Sequence, residues 1–589
     1  MDPIKVDFSS DNNNNRSDSK FVIPPEKKGL RIVISLVITL IAAAIGYYFY
    51  LPALNFKSTE MYIFIGAVIG FYCLVNYIMC GALRTPDYAP YAKKSIRVPV
   101  AILAVLAVIV AGGFVVSSVF FRAKSYSKII DVDADGIFAD EVVSSTEDNF
   151  DTVPRIDTDT TGVLAARALS DLSKTGYVSQ FTVEPSYNNQ INFKNRPVRL
   201  ATFQYSNIIK WLTSSDERIP AYIKIDTITQ KADLVMVDGG LQYTSADHLS
   251  HNIKRQLRFT YPTYLFDTPQ FEIDDNENPY WIAARIDKTI GLFGGTDAIG
   301  VVICDAKTGE CKEYTMEQLK TDKSLSWIDR VYSADLIVEQ FNYFGSYGGG
   351  FWNSILGQKN TYCTTDGYSY LAMNDDVYLY TGVTSLTDDQ SLTGFTLMNM
   401  RTKEAKYYTI SGAKEESAQK SAEGLVQQYE YQSSFPLLLN IEGVPTYFMP
   451  MKDSGNLVKM YAMVNVEQSS VGGYGTSLSD CIENYVSALK KNNISSVKVS
   501  TENITESTDV PDDETPVVTT VDVTGKIKEI RTAVIGGDSV YYIKLDSSTS
   551  FYSVKAADFE KVVTFNANDS VTFTVETDEG AIVPVKDIK

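Results

Sequence analysis

The chain has 589 residues, with 53 Lys and Arg against 72 Asp and Glu, 37 tyrosines, six cysteines and two histidines. So few His and Cys argue against a zinc enzyme built on those ligands. The charge is unevenly spread: residues 1–122 carry 12 basic and 7 acidic side chains, and residues 123–589 carry 41 and 65. An acidic body of that size argues against nucleic acid as a partner, because a phosphate backbone demands a basic face.

Residues 1–31 read as a disordered cytoplasmic tail, since Ser9–Ser19 with its four successive Asn has no apolar face to bury. Three apolar segments follow, Ile32–Tyr50, Met61–Leu83 and Val98–Phe121, which together give a three-helix anchor over 32–121. The third is 24 residues without a charge, long enough to cross a hydrocarbon core that takes about 20 helical residues. Lys20, Lys27, Lys28 and Arg31 precede the first segment, and Arg84, Lys93, Lys94 and Arg97 lie between the second and third. Basic loops stay cytoplasmic. The expectation is therefore a multi-pass protein of the cell membrane with its N-terminus cytoplasmic and residues 122–589 extracytoplasmic. The spans contain no Asp, Glu, Lys, Arg or His, which argues against a transporter or proton pump. Ala42 with Gly46, and Gly66 with Gly70, have the small-residue spacing that lets helices approach closely, within the anchor or in a homo-oligomer.

Residues 122–157 read as a stalk. Within them Asp131, Asp133 and Asp135 alternate as calcium ligands do, with Gly136 at the sharp turn. The acid such a loop needs at its twelfth place arrives one residue early, as Glu141. The match is partial, and a solvated acidic turn is the preferred reading over a Ca²⁺ site formed by these four residues; no other cofactor is expected.

Tandem α+β modules are expected over 158–494. Thr160–Leu172 has helical periodicity, and three similar hairpin tips follow: DTITQKA at Asp226–Ala232, DAKTGEC at Asp305–Cys311 and NMRTKEA at Asn399–Ala405. Each is flanked by apolar strands and opens on Asp or Asn, which favour turns. A looser fourth copy turns at Lys452–Asn456. Helical patterns at Ala246–Phe259, Glu415–Tyr429 and Leu478–Lys491 could each cover one face of a small antiparallel sheet.

Pro279–Tyr280–Trp281 and the run GVVICDAKTGECKEY at Gly300–Tyr314 resemble a PepSY-type module, and the region 160–490 is similar to uncharacterised multi-pass membrane proteins of Gram-positive bacteria. The resemblance implies a binding, inhibitory or regulatory role outside the membrane and carries over no catalytic residue. The tips at Asp226 and Asn399 lack the glycine of that signature.

Residues 495–520 read as a linker, with six acids against one Lys. Residues 521–589 alternate like five short strands, with Gly536–Gly537 as a turn, a length that fits a small β-barrel similar to an OB-fold. Its 8 basic and 11 acidic residues argue against oligonucleotide binding.

Among candidate sites, Cys304 and Cys311 would face each other across the second hairpin and could form a disulfide outside the cell, or remain two thiols. His248 and His251 share a face of the expected helix, but two ligands do not make a zinc site. The Gly-rich runs Gly291–Gly295 and Gly345–Trp352 fit no phosphate loop and read as flexible turns beside aromatic packing. The preferred reading is a membrane-anchored binding, scaffold or regulatory protein of the cell envelope, contacting an envelope protein or wall polymer and performing no catalysis. The alternative is an envelope hydrolase using paired carboxylates, for which no pair can be chosen.

Overall fold

A computed structural model describes residue 24 and residues 26–138, 142, 150, 153–170, 179–184, 189–214, 218–373, 375–387, 391–495, 521–535, 538–556, 559–575 and 582–589. The chain divides into two compact units, 1–508 and 509–589.

Three helices are long and apolar enough to cross a membrane: Lys28–Tyr50, Thr59–Met79 and Arg97–Ser117. At 1.5 Å per residue each is about 30 Å long, the thickness of a hydrocarbon core. The first starts four residues before the apolar run, and Arg31 Nη1 donates to Met79 O (2.8 Å) at the end of the second. The third is shorter than the expected Val98–Phe121. It stops at Ser117, Ser118 is extended (φ −67°, ψ 146°), and a short helix, Val119–Tyr126, leaves at a new angle. The break is held from the body: Ser117 Oγ accepts the N–H groups of Leu292 and Phe293 (both 2.9 Å), and Tyr126 Oη donates to Ser117 O (2.6 Å).

The body repeats one unit four times, a helix followed by a four-stranded antiparallel meander. In the first, helix Thr158–Leu169 precedes strands Asn189–Phe193, Arg196–Ala201, Ile219–Asp226 and Ala232–Leu241. In the second, helix Ile253–Thr260 precedes Gln270–Ile273, Pro279–Ile290, Gly294–Asp305 and Cys311–Thr315. In the third, helix Ala334–Tyr347 precedes Ser369–Met373, Asp376–Ser385, Gly394–Asn399 and Ala405–Tyr408. In the fourth, helix Glu415–Leu425 precedes Leu437–Ile441, Val444–Lys452, Val458–Asn465 and Gly472–Gly475, and helix Leu478–Lys491 closes the series.

The third and fourth strands of each of the first three meanders are joined by the tips read from the sequence, and the tips share one construction. Oδ1 of Asp226 accepts the N–H groups of Ile228 and Thr229 (2.9 and 3.0 Å). Asp305 holds Lys307 and Thr308 (2.7 and 3.0 Å), and Asn399 holds Arg401 and Thr402 (2.8 and 2.9 Å), in the same way. The fifth residue of each tip is left-handed: Gln230 (φ 61°), Gly309 (φ 74°) and Lys403 (φ 66°). The side-chain bonds and the strand ladders on either side therefore impose the turn even where glycine is lacking. The second residue of each tip docks alike, with Thr227, Ala306 and Met400 donating N–H to the carbonyls of Pro197, Pro279 and Val377 (3.3, 3.1 and 2.9 Å).

The described residues of the stretch expected as a stalk pack into this body. Ile130, Val132, Phe138, Phe150, Val153 and Ile156 are buried, and the Phe138 ring lies 5.3 Å from that of Phe395. Apolar side chains spaced through an acidic segment find the core between the meanders, which periodicity alone does not reveal. A continuous core joins all four units through Tyr222, Trp281, Tyr380 and Tyr447.

In the second compact unit, strands Val521–Ile535, Asp538–Leu545, Phe551–Lys555, Ser570–Val575 and Ile582–Ile588 pair in a ring. The first joins the second, the second the third, the third the fifth in parallel, the fifth the fourth, and the fourth the first. Tyr552 and Phe573 fill its interior, with ring centroids 5.5 Å apart. Gly536–Gly537 and nearly all of 495–520 lie outside the described residues.

Candidate functional site

The body meets the membrane helices on one side through three contacts. Helix Ile253–Thr260 lies across the end of the first span: Arg255 Nε donates to Tyr48 O and Arg258 Nε to Leu51 O (both 3.0 Å), satisfying carbonyls that a helix C-terminus leaves open. In the loop to the second span, Leu54 N donates to Pro262 O (2.8 Å), and Lys57 Nζ binds both oxygens of Asp287 (2.9 and 2.8 Å). The Gly291–Gly295 run is the turn of the long second-unit hairpin, planted on the third span. Phe293 packs on Tyr62 and Phe114 (5.7 and 5.0 Å), in space that a Cβ on Gly113 would occupy, since it would fall 2.5 Å from the ring. Gly291 is left-handed (φ 63°) and also leaves no room for a Cβ, which would meet Ser117 Oγ at 2.5 Å. The run expected as a flexible turn is thus a packed joint. Residues 51–58 and the body share a side.

Away from that joint, a cavity of about 360 Å³ opens between the first, third and fourth units, lined by Arg199, Asp157, Tyr370, Ser434, Phe435 and Lys452 among others. Arg199 enters from strand Arg196–Ala201, whose inner residues are all buried. Its side chain is 6% exposed; Nη1 donates to Thr158 Oγ1 (3.0 Å), and Nε has no partner. The Ser434 hydroxyl is likewise buried without a partner. The two carboxylates at the rim, Asp157 and Asp159, are both taken by Lys452. Asp157 also caps helix Thr158–Leu169, accepting from Thr160 N (2.9 Å).

Burial opposes the charged form of Asp157, but the Lys452 ammonium and the Thr160 N–H outweigh it and hold the carboxyl below its usual range. Lys452 responds in kind: burial disfavours its charge, and the Asp157 and Asp159 contacts raise its pKa. Burial lowers the Arg199 pKa to about 10, with Tyr370 and Asp157 opposing the shift and the Arg330 charge adding to it. With Nε left without a hydrogen-bond partner, the desolvation of this guanidinium is only partly offset.

Beside this cleft lies a closed polar junction. Glu272 is fully buried and accepts the backbone N–H groups of Asp329 and Arg330 (both 3.0 Å), while Asp329 accepts from Asn192 N (2.6 Å). Burial pushes the Glu272 carboxyl up to about 7, and burial together with Glu272 pushes Asp329 well above its ordinary value. Glu272 and Asp329, both raised, are therefore sealed away from the open cleft, whose Asp157 carboxyl is lowered. Carboxylate-pair hydrolysis needs one of each in reach of one bond.

The residues singled out from the sequence are scattered. Val132–Asp133 forms a short parallel pair with Ala405–Lys406, Asp133 Oδ1 accepts Asp135 N (3.1 Å), and Glu141 lies outside the described residues. Among the described residues no three His, Cys, Asp or Glu gather as a metal site would. Cys304 and Cys311 are directly opposed in the antiparallel hairpin and joined as a disulfide, with Cα atoms 4.1 Å apart. His248 and His251 are not on a helix, which starts only at Ile253 because Asn252 caps it, its side chain accepting from Lys254 N. His248 instead packs on Trp211 (5.1 Å) and His251 on Tyr243 (5.5 Å). Arg199, Ser434 and Lys452 were missed. One signal existed: Arg199 interrupts the apolar strand Pro197–Ala201, where an unmatched charge is a flag.

No family model and no curated protein matches the chain. Among solved structures, a levansucrase variant from B. megaterium matches at 10% identity and a TM-score of 0.16, over 78% of this chain and 98% of that one, a likeness too low to argue from.

Proposed function

We propose that the protein is a membrane-anchored extracytoplasmic binding protein of the cell envelope, and that the cleft at Arg199 takes the carboxylate of its ligand. The observation that carries this is a buried guanidinium that lines the cavity and keeps one N–H without a partner, because Arg and carboxylate make strong, directional bonds. At about 360 Å³ the cavity suits a small acid, or the terminal group of a wall polymer or envelope protein, with Phe435 offering an apolar face. The outward placement is supported by the basic loop 84–97 at the ends of the spans away from the body, and by the Cys304–Cys311 bridge, which suits an oxidising compartment. The ring order of the C-terminal strands supports an OB-like barrel acting as a second contact module. The four repeated helix-and-meander units support the PepSY-like reading, in which such modules bind or regulate and do not catalyse.

Two measurements test this. A membrane-impermeant maleimide on intact cells should label Lys320→Cys above the native background and leave Lys93→Cys unlabelled; the opposite result would invert the topology. Calorimetry of the full chain in detergent with carboxylate-bearing wall-polymer fragments should give binding that Arg199→Gln weakens at least tenfold. Equal binding by both chains would remove the cleft from the function.

A further inference from the structure

The Gly-rich run Gly345–Trp352 leads into an exposed apolar surface that the cleft does not explain. Trp352 is 62% exposed, Ile355 52% and Leu356 76%, while on the short helix after the third span Phe121 is 63% exposed. These two segments touch: the Phe120 ring lies 4.9 Å from Phe351 and 5.8 Å from Trp352. Phe120 is three residues beyond Ser117, the last residue of the span, so the surface begins where the chain leaves the hydrocarbon core. The loop is also fixed in shape. Asn353 Nδ2 donates to Lys359 O (2.9 Å), its Oδ1 accepts Lys359 N (3.2 Å), and Ser354 Oγ donates to Phe351 O (2.7 Å). Ile355 and Leu356 are therefore held outward by a locked turn. Arg122, Lys124 and Lys359 are exposed beside the aromatics.

We infer that Phe351–Leu356, together with Phe120 and Phe121, lies in the interface of the same bilayer that holds the three spans. Trp is enriched at that depth because its ring is apolar at one end and polar at the other, and basic side chains nearby meet lipid phosphates. Outside a bilayer, a locked apolar cluster of this kind would be a liability. The contact gives the body a lateral foot. Helix Ala334–Tyr347 runs directly into the loop and is packed on the short helix through Tyr343 and Tyr126 (4.7 Å), so the third unit rests on lipid as well as on the spans.

The test uses the full chain in nanodiscs of phosphatidylcholine and phosphatidylglycerol, with and without lipids brominated near the top of the acyl chains. Of the four tryptophans, Trp211 and Trp281 are buried in the body, and Trp327 is half-buried against Tyr280 (5.1 Å). Brominated lipid should quench the native emission, and Trp352→Phe should lose more than half of the quenchable part. Leu356→Asp, at an exposed position that leaves the fold intact, should reduce the quenching of Trp352 severalfold. Equal quenching in the native chain and Trp352→Phe overturns the inference. So does shielding of Trp352 that disappears when each disc holds one chain, which would assign the surface to a second copy.

Discussion

Replacing Lys452 by Met tests how the cleft is held. The Lys452 side chain is 8% exposed and Asp157 25%, so most of their attraction is felt away from water. Removing one partner of a buried pair strands the other, at a cost of about 3–5 kcal/mol. Asp157 keeps some solvent and its bond from Thr160 N, which places the expected loss near the low end, about 3 kcal/mol, or about a hundredfold in a local opening equilibrium. Hydrogen exchange at the Thr160 amide reads that opening directly. The pH dependence follows from the shifts. Asp157, lowered in the fold, contributes stability above its unfolded pKa of about 3.9 and loses it as pH falls through the folded value. Lys452, raised in the fold, contributes below its unfolded pKa of about 10.4 and loses it as pH rises through the folded value. The native chain and Lys452→Met should thus differ most between about pH 4 and 10 and converge in stronger acid. Asp157→Asn with Lys452→Met should cost less than the sum of the single changes. Thr160 protection within threefold of native at pH 7, or strict additivity, would refute the argument.

Phe293→Ala should loosen the hairpin from the spans, costing about 3 kcal/mol by loss of its contacts with Tyr62 and Phe114, and exchange should rise along Gly294–Asp305 while the fourth unit is unaffected. Because the Glu272 carboxyl is raised to about 7, its contribution is fully present below the unfolded value of about 4.3 and falls away as pH rises through 7; Glu272→Gln should flatten the thermal midpoint over that window. Alkylating the denatured, unreduced chain should modify four of six cysteines. Cys311→Ser should lower stability by about 2 kcal/mol, the chain-entropy value for a closed loop with separation 7.

The membrane segments were legible because a run of some twenty apolar residues has few other uses. Even so, the third span ends earlier than its hydrophobicity suggests, because Ser117 is claimed by Leu292 and Phe293 from 175 residues away. The hairpin tips were legible because an Asp or Asn binding its own backbone is local chemistry, and three tips of that kind proved to share one geometry. The equivalence of the fourth unit was not legible at the same strength, since its tip at Asp453 is shorter and its likeness lies in strand order.

Sequence alone therefore settled what depends on composition and near neighbours: the apolar spans, the acidic body, the turns and the opposed cysteines. Only the tertiary structure decided that Ile130, Val132, Phe138, Phe150, Val153 and Ile156 belong to the core, that a glycine turn clamps the third span, and that Arg199, Ser434 and Lys452 surround one cavity. Arg199 lies more than 200 residues from Ser434 and Lys452, and no local periodicity encodes their meeting. It is fixed by how four meanders pack around a shared core, where burial decides which charge stays partnered and which is left open.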